Sequence, residues 1–189
     1  MTYRKLLTAA FFVVLIVGIF VAFTFRRLVQ SPPGGVPWSN VRSTEWGFAA
    51  RFPGVVESNS RRAQLTDSSL HEWWSWKEKA RFTVVITFTP QNRLLSDEEV
   101  FASGAKMTTD RFGGHVKSSR TVNRNGRLAC EQEISTDIGT VRSSLYLLGD
   151  RLYHVQVASA SKTLDESYVD YFFAGFTINW TPSDEHLED

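Results

Sequence analysis

HEWWSWKEKARFTVVITFT, residues 71 to 89, decides the fold. In its first half, His71 to Lys77, Trp74 and Trp76 fall on one side of an alternating pattern and Trp73 on the other. In its second half, Arg81 to Thr89, Phe82, Val84, Ile86 and Phe88 alternate with Thr83, Val85 and Thr87. A period of two is the signature of a β-strand. Only Glu78, Lys79 and Ala80 separate the runs, so they are read as a hairpin. A second such pair is TVRSSLYLLGDRLYHVQV, residues 140 to 157, folding back across Gly149-Asp150. A third folds back at Asn125-Gly126, a strong short hairpin signal, with strands His115–Asn123 and Leu128–Ser135.

Working outward, WGFAARFPG contributes a strand through Phe48, Ala50 and Phe52 that ends at Pro53-Gly54. A weaker polar strand is expected near Arg61 to Leu65, and a short one at Phe176 to Asn179. Two helices interrupt the strands. Ser96 and Glu99 are spaced as a capping box, Phe101, Ala105, Thr108 and Phe112 form a stripe, and Gly113-Gly114 stops the helix. Thr163 and Glu166 form a second box before Leu164, Tyr168, Tyr171 and Phe172. Hairpin turns outnumber helical crossovers, so the fold class is α+β: one central antiparallel sheet flanked by helices.

The N-terminus sets the expected location. Leu6 to Phe25 holds no charge. As a helix it would reach about 30 Å, the thickness of a hydrocarbon core. It is longer than a signal-peptide core, and Arg26-Arg27 stand where a cleavage site would lie. The reading is an uncleaved single-pass anchor over residues 1–28. Arg4 and Lys5 against Arg26 and Arg27 nearly balance, and the short N-terminal tail favours an extracytoplasmic domain. Gln30 to Asn40, QSPPGGVPWSN, reads as linker, giving 29–40, then a domain at 41–179 and an acidic tail at 180–189.

The chain has 189 residues, a formal net charge of +1 and one cysteine. These values argue against a nucleic-acid binder, an internal disulfide and a thiol-rich metal site. His71, His115, His154 and His186 show no metal-ligand spacing. Cys130 reads as a buried hydrophobe, and Glu131 and Glu133 as carboxylates paired with Lys or Arg on the next strand. No cofactor and no catalytic residue is expected. Two features suit partner contact. One is Trp73, alone on its face; a sheet covered on both sides would instead bury all three tryptophans. The other is the basic hairpin of Lys117, Arg120, Arg124 and Arg127, which has no acid between Asp110 and Glu131. The candidate partner-contact residues are Trp73, Lys117, Arg124 and Arg127.

WGFAARFPG, the capped helix ending in Gly-Gly, the strands TVRSSLYLLGDRLYHVQV and the closing YFFAGFTIN together resemble the PsbP-like superfamily. That group includes the extrinsic photosystem II subunit, the Ran-binding Mog protein and assorted bacterial envelope proteins. The resemblance spans most of residues 45 to 179. It rests on element order and strand phrases, not on a chemical motif. It implies a central antiparallel sheet with flanking helices, and an accessory or binding module rather than an enzyme. The function expected is a membrane-tethered, non-enzymatic accessory or scaffold subunit of a larger membrane complex or envelope component. The alternatives are a glycan- or lipid-binding envelope module, and a small hydrolase or metalloenzyme using His71 or His154.

Overall fold

The computed structural model describes residues 32–63, 68–88, 95–124, 126–137, 139–160 and 165–179. The apolar run Leu6 to Phe25, the acidic tail, Thr163, Leu164 and His186 lie outside the described residues. Among the described residues, no helix is long and apolar enough to cross a membrane.

Ten strands and two helices are described. The strands are β1 (Trp38–Ser43), β2 (Phe48–Pro53), β3 (Glu57–Ala63), β4 (Ser68–Lys77), β5 (Ala80–Phe88), β6 (His115–Arg124), β7 (Arg127–Thr136), β8 (Gly139–Leu148), β9 (Arg151–Ser159) and β10 (Thr177–Ile178). The helices are α1 (Asp97–Phe112), between β5 and β6, and α2 (Glu166–Ala174), between β9 and β10. All three hairpins read from the sequence are present, and every strand pairing is antiparallel.

The single sheet expected from the sequence is instead two. Seven strands pair in the order β3-β4-β5-β9-β8-β7-β6, and β1-β2-β10 form a separate small sheet. The division follows from β1, which lies partly inside the stretch read as linker. Its sequence, WSNVRS, is mostly polar. As an edge strand it needs only β2 as a neighbour, so it carries no strong alternation. Val36, Trp38 and Val41 pack against the core, so the ordered body begins before residue 41.

The large sheet is covered on both faces. On one, Phe82, Val84 and Ile86 of β5 and Tyr153, Val155 and Val157 of β9 meet Phe48, Ala50 and Phe52 of β2 and Tyr168, Val169 and Phe172 of α2. Phe172 sits edge-on to both Phe52 and Phe82, at 5.3 Å between ring centroids in each case. On the other face, Val100 and Phe101 of α1 pack on Cys130, Leu145 and Leu152.

Helix α1 starts as its sequence dictates. The Ser96 side chain accepts from the Glu99 amide, and the Glu99 side chain accepts from the Ser96 amide. Its buried line is Val100, Phe101, Gly104 and Thr108 rather than the stripe through Ala105 and Phe112. Gly104 is the reason: a Cβ there would come within 3.1 Å of Leu145 Cδ2, so its absence lets the helix approach β8 closely. The helix ends before Gly113 and Gly114. Gly114 has φ of +114°, and a Cβ there would stand 2.0 Å from the Ser135 carbonyl oxygen, so no other residue fits. Helix α2 is capped by Asp165, whose Oδ1 accepts from the Ser167 amide at 2.9 Å, rather than by Thr163.

Phe172 joins α2 to both sheets. Replacing it with alanine (Phe172→Ala) is expected to cost about 3–5 kcal/mol. Thermal unfolding should show the midpoint falling by about 10 °C or more.

Candidate functional site

The basic hairpin is held at its tip by Asn123, whose Oδ1 accepts from the Gly126 amide at 2.9 Å. The register of β6 against β7 sets Arg120 opposite Glu131, and Ser118 opposite Glu133. An irregularity between Val116 and Ser118 shifts the register there. Simple alternation would leave Lys117 on the face away from Glu133. At the irregularity its Nζ nevertheless reaches Glu133 Oε1, at 2.6 Å.

Glu131 is the centre of the arrangement. Arg120 donates from Nε and Nη2 to Oε2, at 3.0 and 2.7 Å. Arg124 donates to Oε1 from Nε at 2.8 Å and also from Nη2. Both carboxylate oxygens are thus occupied by charge-assisted bonds. Burial pushes this carboxyl upward, and the bonds and charges of Arg124 and Arg120 outweigh it, leaving it below the usual carboxylate value. A group held ionised in this way is a poor proton donor or acceptor. The guanidinium of Arg120 is largely exposed and uses only some of its five N–H donors on Glu131.

The next strands and α2 complete a cleft. Arg142 of β8 reaches Glu166 and, at 3.8 Å, Asp170 of α2. Tyr146 of β8 lies 5.5 Å from the Phe176 ring. Burial raises its hydroxyl above the ordinary tyrosine value. These groups border a cleft of about 850 Å³ between β6–β8 and α2, lined by the ion pairs of Arg120, Arg124 and Arg142 with their carboxylates and by Tyr146, Phe173 and Phe176. The remaining donors of the exposed Arg120 guanidinium are the part of this cleft free to meet an acceptor on a partner.

The sequence-proposed contacts do not form one site. Lys117 and Arg124 belong to the charged hairpin but are committed to Glu133 and Glu131. Arg127 pairs across the tip with Arg124 in the strand register. Trp73 is on β4, five strand positions from β6. It packs against the core, with its ring 4.8 Å from Phe48. Arg142, Tyr146, Asp170 and Phe176 had no local signal in the sequence, because β8 and α2 meet only in the tertiary fold.

The histidines are also separated. His71 stacks on Trp46 at 3.8 Å and shares the face of Trp73. Burial lowers its pKa, against the raising influence of Glu45. His154 lies in the register row of Leu145 and Cys130, on the α1 face. The two rings therefore point away from each other across the sheet. His154 is buried, and burial, reinforced by the Arg111 charge, lowers its pKa to about 4. Among the described residues, no three His, Cys, Asp or Glu side chains could hold a metal ion. Cys130 packs against α1.

No protein-family model and no curated protein matches the sequence. Among solved structures, the chain is similar to cyanobacterial PsbP (CyanoP) from Synechocystis sp. PCC 6803. The TM-score is 0.52 at 13% identity, covering 78% of this chain and 96% of that one. The fold is therefore PsbP-like; among the described residues, α1 and α2 pack on two antiparallel sheets. At this identity the likeness is one of fold.

Two titrations follow from the geometry. Glu131 has a lower pKa in the folded chain than its usual 4.5, so its stabilisation is complete above that value and is lost as pH falls through the folded value. Glu131→Gln should cost about 1–2 kcal/mol at neutral pH and remove that part of the acid loss. His154, neutral in the fold, should make stability decline as pH drops from 6.5 towards about 4. Denaturant unfolding of His154→Leu across this range should lack that slope, whereas an unchanged slope would assign it elsewhere.

Proposed function

We propose that this protein is a membrane-tethered, non-enzymatic accessory or scaffold subunit, docking through an extracytoplasmic domain on a larger membrane complex or envelope component. The observation that carries the reading is the junction of anchor and domain. An uncharged run of 20 residues, Leu6 to Phe25, is followed within a few residues by a segment seated on the folded body. A tether raises the local concentration of the domain at its partner, so docking needs little intrinsic affinity. The cleft around Arg120, Glu131 and Arg124 supplies a surface for an acidic partner. Its Glu131 and Glu133 carboxylates are engaged by cations, which favours recognition over proton transfer. The PsbP-like fold is compatible with this role and does not by itself assign it.

The full-length protein should remain in the membrane fraction through an alkaline carbonate wash. In mild detergent it should co-purify with a stoichiometric membrane-protein partner, and Arg120→Glu combined with Arg124→Glu should weaken that recovery by about tenfold. Recovery of the intact protein alone would sink the subunit reading.

A further inference from the structure

We propose that the end of the domain carrying Val55, Trp76 and the β4–β5 turn rests in the headgroup layer of the membrane that holds the anchor. Trp76 then sits at the lipid interface. The inference rests on the reading of Leu6 to Phe25 as a membrane span.

The argument begins with the segment that precedes β1. Pro32 to Pro37 is not a free tether. The Tyr168 hydroxyl donates to the Gly34 carbonyl. Trp38 donates from Nε1 to the Pro33 carbonyl at 3.4 Å and stacks on Tyr168 at 5.8 Å. The Gly54 amide donates to the Pro37 carbonyl at 2.8 Å, and Ser39 Oγ donates to the Gly54 carbonyl at 2.5 Å. The segment is strapped onto α2 and the end of β2.

That strap brings the chain to one particular end of the domain. Lys77 Nζ lies 5.6 Å from the centre of the same Tyr168 ring. A Cβ on Gly54 would stand 3.8 Å from the Trp76 carbonyl oxygen. The β3–β4 pairing ends at Glu57 opposite Trp74; Val55 precedes Glu57 by two residues and Trp76 follows Trp74 by two, so both lie just past that end of the pairing. Val55 is 84% exposed and Trp76 57% exposed, the two most exposed large hydrophobic side chains among the described residues. The Trp76 backbone thus lies at the sheet end where the chain arrives, while its ring is on the face opposite Lys77, with the Arg81 guanidinium 5.9 Å from its centre.

Distance selects the occupant. From Phe25 to Pro32 there are seven residue steps, spanning at most about 25 Å when fully extended. The headgroup layer takes up about 5–7 Å of that. A tether this short keeps that end of the domain within reach of the lipid surface. Tryptophan favours this layer because its ring is apolar and its N–H is polar. Lys79 in the β4–β5 turn is exposed, on a stem long enough to reach headgroups. Lys77 is engaged with Tyr168 and, at 3.2 Å, with Glu78, so the apolar contact carries most of the attraction.

The test uses the full-length protein in vesicles whose acyl chains carry bromine, a short-range quencher of tryptophan. Trp76→Phe should reduce the quenched share of emission by about half or more, and Val55→Asp should reduce it in the same direction. Equal quenching in the parent and Trp76→Phe would overturn the inference. A carbonate wash of the same vesicles separates the two failures. Release of the protein overturns the anchor reading and this inference together. Retention with Trp76 unquenched overturns the orientation alone.

Discussion

The pairing of β5 with β9 connects two hairpins that lie far apart in the chain, from Ala80 opposite Ser159 to Phe88 opposite Arg151. Once these strands are adjacent, Phe82, Val84, Ile86, Tyr153, Val155 and Val157 form a continuous apolar surface on one side. A surface of that size must be covered. The small sheet and α2 cover it together, and Phe172 is the side chain that reaches both layers. The opposite face is less apolar. Thr83, Gln132, Ser143, His154 and Gln156 are buried there alongside Leu145 and Leu152. Helix α1 meets it with the short line of Val100, Phe101, Gly104 and Thr108. The two faces thus require different covers, which explains why α1 and α2 differ in character.

What could be read in advance was whatever is encoded within a few residues. The alternation from Arg81 to Phe88, the pairing of the two strands either side of residue 125 and the Ser96–Glu99 box each act locally, and each has its expected counterpart in the structure. The second sheet was not legible. β1 is short and polar, and its order comes from β2 and from Trp38 packing on Tyr168 and Tyr171. Prolines and glycines at 32–37 describe a linker by composition. They became part of the body because Tyr168, more than a hundred residues later, donates to Gly34. The cap of α2 also differs from the Thr163–Glu166 spacing read in the sequence: the N-cap is Asp165, which accepts from the Ser167 amide.

The candidate site divides along the same line. Glu131 and Glu133 were expected to pair with cations on a neighbouring strand, and they do, since antiparallel neighbours are fixed by the hairpin. Arg120 and Arg124 are four apart and share one face, and Lys117 is recruited at the irregularity beside Val116. Trp73 fails as a surface residue for a related reason. The face it occupies alone among the three tryptophans is the one that the small sheet covers, and the exposed ring belongs to Trp76.

The positions of the two surfaces bear on how such a protein could work. Trp76 is on β4, and the arginine pair is on β6, at the far edge of the same sheet. Five strand spacings separate them, about 24 Å at the usual distance between neighbouring strands. A strap that seats one sheet end near lipid would leave the other edge clear of it. The two contacts would not compete for area, and the rigid sheet would fix the angle between them. Under the proposed tethering, the anchor limits distance, the strap limits rotation, and the cleft is left to choose its partner by charge. Specificity then needs only a modest interface, because most of the orientational freedom has already been removed by the chain itself.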